Sequence, residues 1–287
     1  MRRLATELQQ IAVLGATGRL GRAVVRALGP HRVIGLSRHA APNLQIRHIT
    51  GDRRDVLALQ RAIADADAVV DLCGFDADDA QALLRAVARP KPLIAVSSIA
   101  ERVPAWWDRA ETDLGPLPDD PYGTGKRAYS TLLLQRWRGP LLVPLSPQLL
   151  VADDPDERSL AYLRAAQSGT VAVPGTGQQR VATVAACDVA HLFDRWLAAP
   201  TLSGRVQISH PHPESLADLV QALLAGAGLT AALAFGGQSG QHSGGEELLD
   251  LSLQNQLWPD YPWQPLTSDF RVLGQKWRDR LRDRSAD

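Results

Sequence analysis

The sequence predicts an α/β protein with a doubly wound parallel sheet, and three observations support this fold class. From residue 11 to about residue 150, short apolar runs alternate with stretches of helical period, a pattern typical of βα units. A glycine-rich turn directly follows the first apolar run. After Pro147, shorter elements are separated by loops that contain Gly and Pro. We therefore expect a sheet domain over residues 1–150 and a smaller subdomain over residues 151–287. The pattern also allows part of the second segment to add to the sheet of the first.

Short apolar runs mark the strands, and apolar residues that recur three or four positions apart mark the helices. The predicted strands are Ile11–Leu14, Val33–Leu36, Ile46–Ile49, Ala68–Leu72, Leu93–Val96 and Leu141–Pro144. The predicted helices are Leu20–Leu28, Val56–Ala64, Ala77–Val87, Tyr122–Trp137, Asp188–Ala198 and Leu216–Leu224. The stretch Gly236–Gly245 contains five Gly and two Ser, which predicts either a flexible loop or a mobile lid.

The composition argues against several classes of protein. With 287 residues, 45% of them hydrophobic, the chain is long enough to bury a full core. Lys+Arg and Asp+Glu both number 31, so we expect neither nucleic acid nor a membrane surface as a partner. No apolar run is long enough for a signal peptide or a membrane span, which predicts a cytoplasmic protein. Cys73 and Cys187 are too few for a zinc site, so we expect two buried apolar side chains and no metal.

The first strand is followed by a turn of the phosphate-binding type. Gly15-Ala16-Thr17-Gly18-Arg19-Leu20-Gly21 stands between an apolar strand and an amphipathic helix. In this pattern, the first glycine permits a tight turn, the second lets backbone N–H groups approach a pyrophosphate, and the third allows the helix to pack closely on the strand. The helix N-terminus adds positive potential. The order of these elements predicts a Rossmann-like fold with residues 15–21 cradling a dinucleotide.

The end of the second strand favours NADP(H) over NAD(H). A protein that binds the ribose 2′-OH carries Asp or Glu about 20 residues after the glycine turn, whereas this sequence has Ser37 and Arg38 there. A guanidinium suits a 2′-phosphate, and Arg19 is a candidate for a second contact. The alternative is that both arginines are solvated surface residues. Asp52, which follows the third strand, is placed to contact the adenine or to serve as an ordinary turn residue.

Tyr122 and Lys126 are candidates for acid–base chemistry. A spacing of four residues places both side chains on one face of a helix. A free phenol exchanges protons near neutral pH only where a nearby cation favours the phenolate. The alternative for Tyr122 is a surface residue at a helix start. Ser98 ends an apolar strand at the sheet edge where ligands bind, and it fits either a contact to a reacting carbonyl oxygen or an element cap.

Together these residues resemble the extended short-chain dehydrogenase/reductase family, also called the NAD-dependent epimerase/dehydratase family. The glycine turn looks like its cofactor fingerprint, Tyr122 and Lys126 align with its Tyr/Lys pair, and Ser98 matches its catalytic hydroxyl. Ser146-Pro147 falls where the family usually has Arg-Pro beside the nicotinamide, so the arginine is missing and Pro147 is the matching position. Arg180 stands where sugar-nucleotide members contact the substrate pyrophosphate.

The resemblance implies hydride transfer at nicotinamide C4, with Tyr122 as acid–base and Ser98 positioning the substrate oxygen. Lys126 then holds the ribose and lowers the pKa of the phenol. It also implies a smaller substrate-binding subdomain and a homodimer through the Tyr122 helix, although the apolar Leu132, Leu133 and Leu134 equally suit packing within one chain.

Three functions fit these features. The favoured one is NADP(H)-dependent reduction of a carbonyl group on a small molecule, a 4-keto sugar included. The second is a sugar-nucleotide epimerase or dehydratase with tightly bound NAD(P); Arg180 favours it and Arg38 disfavours it. The third is a non-catalytic NADP(H) sensor, because a fold alone proves no activity.

Overall fold

The computed structural model describes residues 9–151, 157–236 and 246–284. The chain divides into two compact units. Unit 1 comprises residues 1–147, 186–208 and 252–258, and unit 2 comprises residues 148–185, 209–251 and 259–287. Nine of the ten positions of the predicted loop or lid, residues 237–245, lie outside the described residues.

Unit 1 is a parallel sheet with helices, and the predicted fold class is confirmed. Its strands are β1 (Ile11–Leu14), β2 (Val33–Ser37), β3 (Arg47–Thr50), β4 (Ala68–Asp71), β5 (Leu93–Ala95), β6 (Ser97–Ser98), β7 (Leu141–Ser146) and β11 (Ser203–Gln207). Among the described residues these eight strands form one sheet in the order β3-β2-β1-β4-β5-β7-β11, with β6 paired to β7. Its helices are α1 (Arg19–Leu28), α2 (Val56–Ile63), α3 (Ala77–Ala86), α4 (Pro121–Arg136), α6 (Ala186–Ala198) and α8 (Ser252–Leu257).

Two groups of helices flank this sheet, α1 with α6 and α2 with α3 and α4. The strands are apolar because both faces of the sheet are covered. Local capping fixes where several helices begin. Asp55, Asp76 and Asp120 each accept a backbone N–H as the N-cap of α2, α3 and α4, and α4 then opens with Pro121. Asp120 therefore sets the helical register of Tyr122 and Lys126.

Unit 2 is built on its own apolar cluster. Its elements are β8 (Gln148–Leu150), α5 (Glu157–Ala166), β9 (Thr170–Val173), β10 (Thr183–Ala185), α7 (Leu216–Ala227), β12 (Ala232–Phe235) and α9 (Leu266–Arg284). The strands form two parallel pairs, β8 with β10 and β9 with β12. Helices α5, α7 and α9 contribute Leu163, Leu219 and Leu273, all fully buried, to one core cluster. No helix among the described residues is long and apolar enough to span a membrane.

Candidate functional site

The glycine turn lies between β1 and α1, as predicted. Gly15 has a φ of +85°, a conformation that residues with a Cβ rarely adopt, and its N–H donates to the Leu36 carbonyl at 2.7 Å. A Cβ on Gly21 would lie 2.2 Å from the Gly15 carbonyl oxygen, so only glycine lets α1 lie this close to the turn. Gly18 is the N-cap of α1, and no side chain fills the cap. The first turn of α1 also lacks an acidic residue, which leaves its positive potential unopposed.

A cleft of about 740 Å³ opens over this turn, which is within the usual range for small-molecule sites. Nine of the eleven predicted cofactor-contacting residues line it: Gly15, Thr17, Gly18, Arg19, Leu20, Gly21, Ser37, Arg38 and Asp52. The uncapped helix N-terminus, the cradle that a Cβ on Gly21 would disrupt and the lining arginines all suit an anionic dinucleotide. The site therefore fits a dinucleotide bound through its phosphates.

The end of β2 provides one exposed cation, Arg38, and one hydroxyl, Ser37, that is already hydrogen-bonded within the chain. Arg38 is exposed in the cleft lining. Ser37 is buried; its Oγ donates to the His39 carbonyl at 3.0 Å and lies 2.7 Å from Nε2 of His48. Burial lowers the pKa of His48. Of the predicted pair, Arg38 is thus the side chain that presents a charge to the cleft.

The loop after β3 adds two arginines that the sequence analysis did not select. Asp52 is exposed and accepts the Arg54 backbone N–H at 2.8 Å, which is an ordinary turn contact. Arg53 and Arg54 both line the cleft, and both pair with Asp79 of α3 at 2.8 Å. Burial alone would raise the pKa of Asp79. The hydrogen bond from Arg54 and the charge of Arg53 outweigh this effect, so the pKa of Asp79 lies below its ordinary value. The positive charge of these two arginines is therefore offset by acidic partners, and the pairs join the loop after β3 to α3 in the cleft wall.

The expectation that both cysteines are buried is wrong, because Cys73 and Cys187 are exposed. Cys73 follows β4 and lines the cleft. Protein surrounds its thiol on most sides, so burial, together with the neighbouring Asp71 carboxylate, raises the thiol pKa to about 12. The apolar residues around Cys73 predicted a strand that continues to Leu72. Strand β4 instead ends at Asp71, and Cys73 lies in the loop that lines the cleft.

Tyr122 and Lys126 lie on α4, one helical turn apart. The Tyr122 side chain is 46% exposed, and its ring centroid lies 6.0 Å from Nζ of Lys126 and 5.9 Å from the Phe75 ring. Lys126 is buried, and its Nζ donates to the carbonyls of Gly74 (2.7 Å) and Val96 (3.2 Å). Burial lowers the pKa of Lys126, and the charge of Asp71 opposes this effect. The pair thus combines an accessible phenol with a fixed, desolvated ammonium group.

Two glycines between these residues bring neighbouring loops against α4. A Cβ on Gly123 would lie 2.1 Å from the Ala100 carbonyl oxygen, and a Cβ on Gly125 would lie 3.1 Å from the Phe75 carbonyl oxygen. Both contacts are with backbone atoms that follow the carboxyl ends of strands. The missing side chains therefore allow α4 to lie directly on the sheet edge that carries Ser98.

Ser98 ends β6 and caps the short 3₁₀ turn that follows it. Its Oγ accepts the Ala100 N–H at 3.2 Å, so the predicted capping role is present. A hydroxyl that accepts one hydrogen bond still has its own proton to donate, and Ser98 is only half-buried. The capping contact therefore orients the hydroxyl and leaves it able to bind a substrate oxygen.

Arg102 makes several of the contacts that hold the segment between Ser98 and Tyr122. The Arg102 side chain is 1% exposed and donates to the carbonyls of Arg109 (3.1 Å), Ala110 (3.3 Å) and Asp113 (3.0 Å). It also donates to Oε1 of Gln207 on β11 at 2.8 Å. These contacts tie residues 102–113 to the edge strand of the sheet.

The remaining predicted positions lie outside the cleft lining. Lys126 contacts the carbonyls described above, and Pro147 is half-buried at the end of β7. Arg180 belongs to unit 2, where its guanidinium pairs with Glu246 through contacts of 2.9 and 3.2 Å. The group predicted to meet a substrate pyrophosphate thus has a carboxylate partner from its own chain. Within α4, Leu133 is fully buried and Leu132 and Leu134 pack against the core of unit 1, so these leucines contribute to packing within the chain.

Comparison with known proteins supports the predicted resemblance. A curated relative, 2′-dehydrokanamycin reductase of Streptomyces kanamyceticus, is 33% identical over 135 residues, which are 45% of this chain. The matched stretch spans only 38% of that relative's length.

Solved structures show the same fold. UDP-N-acetylglucosamine 4-epimerase from Bacillus cereus has a TM-score of 0.76 at 18% identity, over 93% of this chain and 98% of that one. RMD from Pseudomonas aeruginosa, complexed with NADPH, has a TM-score of 0.68 at 17% identity, over 96% of this chain and all (100%) of that one. The model of the NAD dependent epimerase/dehydratase family matches residues 11–208. The chain therefore belongs to the NAD-dependent epimerase/dehydratase family, which is also called the extended short-chain dehydrogenase/reductase family.

Proposed function

We propose that this protein is an NADP(H)-dependent oxidoreductase that reduces a carbonyl group of a small molecule, with a keto sugar as the substrate class. The observation that carries the proposal is the accessible Tyr122 phenol one helical turn from the buried Lys126 ammonium group, at the sheet edge that bears Ser98. The relative named for reduction of 2′-dehydrokanamycin supports a keto group on a sugar ring.

In this proposal, residues 15–21 and the arginines of the cleft hold the dinucleotide, which supplies a hydride when bound in its reduced form. Ser98 donates a hydrogen bond to the substrate carbonyl oxygen. Tyr122 donates a proton to the same oxygen as negative charge develops there. Lys126 stabilises the phenolate that this transfer leaves, because its positive charge is fixed nearby in a desolvated position. Together these residues convert the carbonyl into an alcohol.

Replacing Tyr122 tests the chemistry. Tyr122→Phe removes one exposed hydroxyl with little change in shape, so turnover should fall by about 10²- to 10⁴-fold while cofactor affinity stays within about twofold. The measurement is single-turnover hydride transfer with a ketone found in a keto-sugar panel, run beside cofactor titration. If Tyr122→Phe turned over at the unmodified rate, the proposed acid–base role would be wrong.

Replacing Arg38 tests the cofactor preference. A charge-assisted contact with the 2′-phosphate contributes roughly 1.5 to 3 kcal/mol, so Arg38→Ala should weaken NADPH binding by about tenfold to a hundredfold and leave NADH binding nearly unchanged. Arg61→Ala, an exposed arginine on α2 outside the cleft lining, is the control. Equal affinities of the unmodified protein for NADH and NADPH by titration calorimetry would remove this part of the proposal.

The family's isomerisation and dehydration chemistry is the second candidate, because the matching family model is described by these reactions. Cofactor retained through purification, with a sugar nucleotide converted and no net NADPH consumed, would favour it. A non-catalytic NADP(H) sensor predicts that Tyr122→Phe changes no function of the protein. The same purification and variant thus separate all three functions.

A further inference from the structure

Asp71 lies beside the candidate site, and the proposed function gives it no role. It ends β4 and is fully buried. Its Oδ1 accepts the backbone N–H groups of Cys73 (3.1 Å) and Gly74 (3.0 Å), which closes the turn after the strand. Its Oδ2 accepts from the Tyr129 hydroxyl at 2.8 Å and from Nη2 of Arg53 at 2.5 Å. The Cys73 thiol also donates to Oδ1 at 3.7 Å, and a carboxylate with five hydrogen bonds at the carboxyl edge of a sheet organises its surroundings strongly.

Both carbonyls that hold Lys126 depend on Asp71. The Gly74 carbonyl belongs to the turn that the Asp71 side chain closes. The Val96 carbonyl belongs to a residue whose N–H donates to the Asp71 backbone carbonyl at 2.8 Å. Asp71 therefore fixes the two acceptors of the ammonium group, one through its side chain and one through its backbone.

Asp71 is also tied to the helix that carries Lys126. Tyr129 is fully buried on α4, three residues after Lys126. The chain of contacts runs from α4 through Tyr129 to Asp71, through the turn to Gly74, and back to α4 through Lys126. Because this circuit is closed, Lys126 cannot move along or away from the sheet edge without breaking one of its hydrogen bonds.

Charges around the circuit are balanced across several elements. Arg53, from the loop after β3, neutralises Asp71 and also pairs with Asp79 of α3. Lys126 of α4 faces the charges of Asp71, Glu101 and Arg53 and the Cys73 thiol. Burial and then the Asp71 carboxylate raise the pKa of Tyr129 well above its usual value, so this hydroxyl stays protonated and acts as a donor. Arg53 and Cys73 line the cofactor cleft, so the circuit joins the cleft wall to α4.

We propose that Asp71 is a positioning residue for the Tyr122–Lys126 pair, fixing the Lys126 ammonium group through the Gly74 and Val96 carbonyls and anchoring α4 through the Tyr129 hydroxyl. The inference rests on the proposed acid–base role of that pair. It adds a residue whose effect on the reaction is transmitted through Lys126, with no contact to substrate required.

The test follows Lys126 directly and needs no substrate. The sequence contains only Lys91, Lys126 and Lys276, so NMR with ¹³Cε-labelled lysine resolves the titration of each amine in the full-length protein. Tyr129→Phe removes the anchor and leaves the charges of Asp71 and Arg53 in place. Water should then reach the ammonium group, and the pKa of Lys126 should rise by about half a unit or more towards the ordinary value of a lysine side chain. Lys91 serves as the buried reference.

Thr124→Val is the matched control, because Thr124 lies on the same helix and its hydroxyl donates to the Pro118 carbonyl at 2.8 Å, a contact that involves none of the charges facing Lys126. It should lower the melting temperature and leave the Lys126 titration unchanged. An unchanged titration in folded Tyr129→Phe, or an equal change in both variants, would overturn the proposal.

Asp71→Asn extends the test to catalysis. The Asn amide has one acceptor oxygen where Asp71 has two, so it cannot accept from the N–H groups of the turn and from Tyr129 and Arg53 at once, and turnover should fall about a hundredfold in the folded variant. Full turnover in folded Asp71→Asn would also overturn the proposal, and if this variant fails to fold, the Tyr129→Phe titration decides. If the proposed function were wrong, Tyr122→Phe would turn over at the unmodified rate. The lysine titration does not depend on that result, so the two failures can be told apart.

Discussion

Gly21→Ala tests whether the close contact between α1 and the glycine turn creates the cofactor site. The added Cβ would lie 2.2 Å from the Gly15 carbonyl oxygen, 2.6 Å from the Ala16 carbonyl oxygen and 2.7 Å from the Ala16 carbonyl carbon. All three are backbone atoms, so no flexible side chain can move aside. An ordinary carbon–oxygen contact of this kind is roughly 3.3 Å, which requires the turn and α1 to separate by about 1 Å.

The close contact at Gly21 leads to two expected effects, a loss of stability and a loss of cofactor affinity. Overpacking of this kind costs about 1 to 3 kcal/mol, which is the expected decrease in the free energy of unfolding. A shift of about 1 Å also misplaces the N–H groups that face the phosphates, and a hydrogen bond to a charged group contributes about 1.5 to 3 kcal/mol. Losing one such bond weakens NADPH binding by about tenfold to a hundredfold.

Titration calorimetry with NADPH and urea denaturation measure the two effects separately. Gly204→Ala is the control, because no heavy atom of the described residues lies within 4 Å of a Cβ placed on Gly204 in β11. It should bind NADPH normally. If Gly21→Ala bound NADPH as tightly as the unmodified protein, the close approach of α1 would be irrelevant to cofactor binding and the reasoning above would be refuted.

Three further predictions concern other parts of unit 1. With a thiol pKa of about 12, Cys73 should react with iodoacetamide about tenfold faster per pH unit up to pH 11, and bound NADPH should protect it; mass spectrometry separates it from Cys187, and a rate independent of pH would contradict the raised pKa. Arg102→Met removes the Arg102 donor from the carbonyls of Ala110 and Asp113 and from Oε1 of Gln207, so urea denaturation should show a loss of about 3 kcal/mol or more, and unchanged stability would mean that the segment is held otherwise. Because its folded pKa is lowered, Asp79 contributes stability above its ordinary pKa near 3.8 that is lost as the pH falls through the folded value, so Asp79→Asn should flatten the acid limb of stability measured by urea denaturation, and an unaltered limb would count against the Arg54 pairing.

The predicted strands of unit 1 lie close to the observed ones because a sheet covered on both faces requires continuous apolar runs. Strand β7 is two residues longer than the predicted strand Leu141–Pro144, because Leu145 and Ser146 continue the parallel pairing with β6. Strand β9 was not predicted, because its four residues are too few for an alternating pattern to stand out from a loop. Short, half-exposed strands leave a weak signal in sequence.

The candidate site divides in the same way. The glycine turn was predictable because its requirements are local, namely a positive φ at Gly15 and a missing Cβ at Gly21. Arg53 and Asp71 were not selected, because their pairing joins residues 18 positions apart and exists only once β3 and β4 lie in one sheet. One signal was available: a carboxylate within the predicted strand Ala68–Leu72 would be buried and so requires a partner.

The two glycines between Tyr122 and Lys126 make the spacing of these side chains depend on contacts outside the helix. Each glycine costs about 1 kcal/mol of helix stability relative to Ala, and an isolated helix of this length is already marginal in water. The first turns of α4 thus need the tertiary contacts that Gly123 makes with Ala100 and Gly125 makes with Phe75. The phenol and the amine therefore reach their spacing only where the loops after β4 and β6 lie against the helix, so the geometry of the pair depends on the sheet edge as well as on α4.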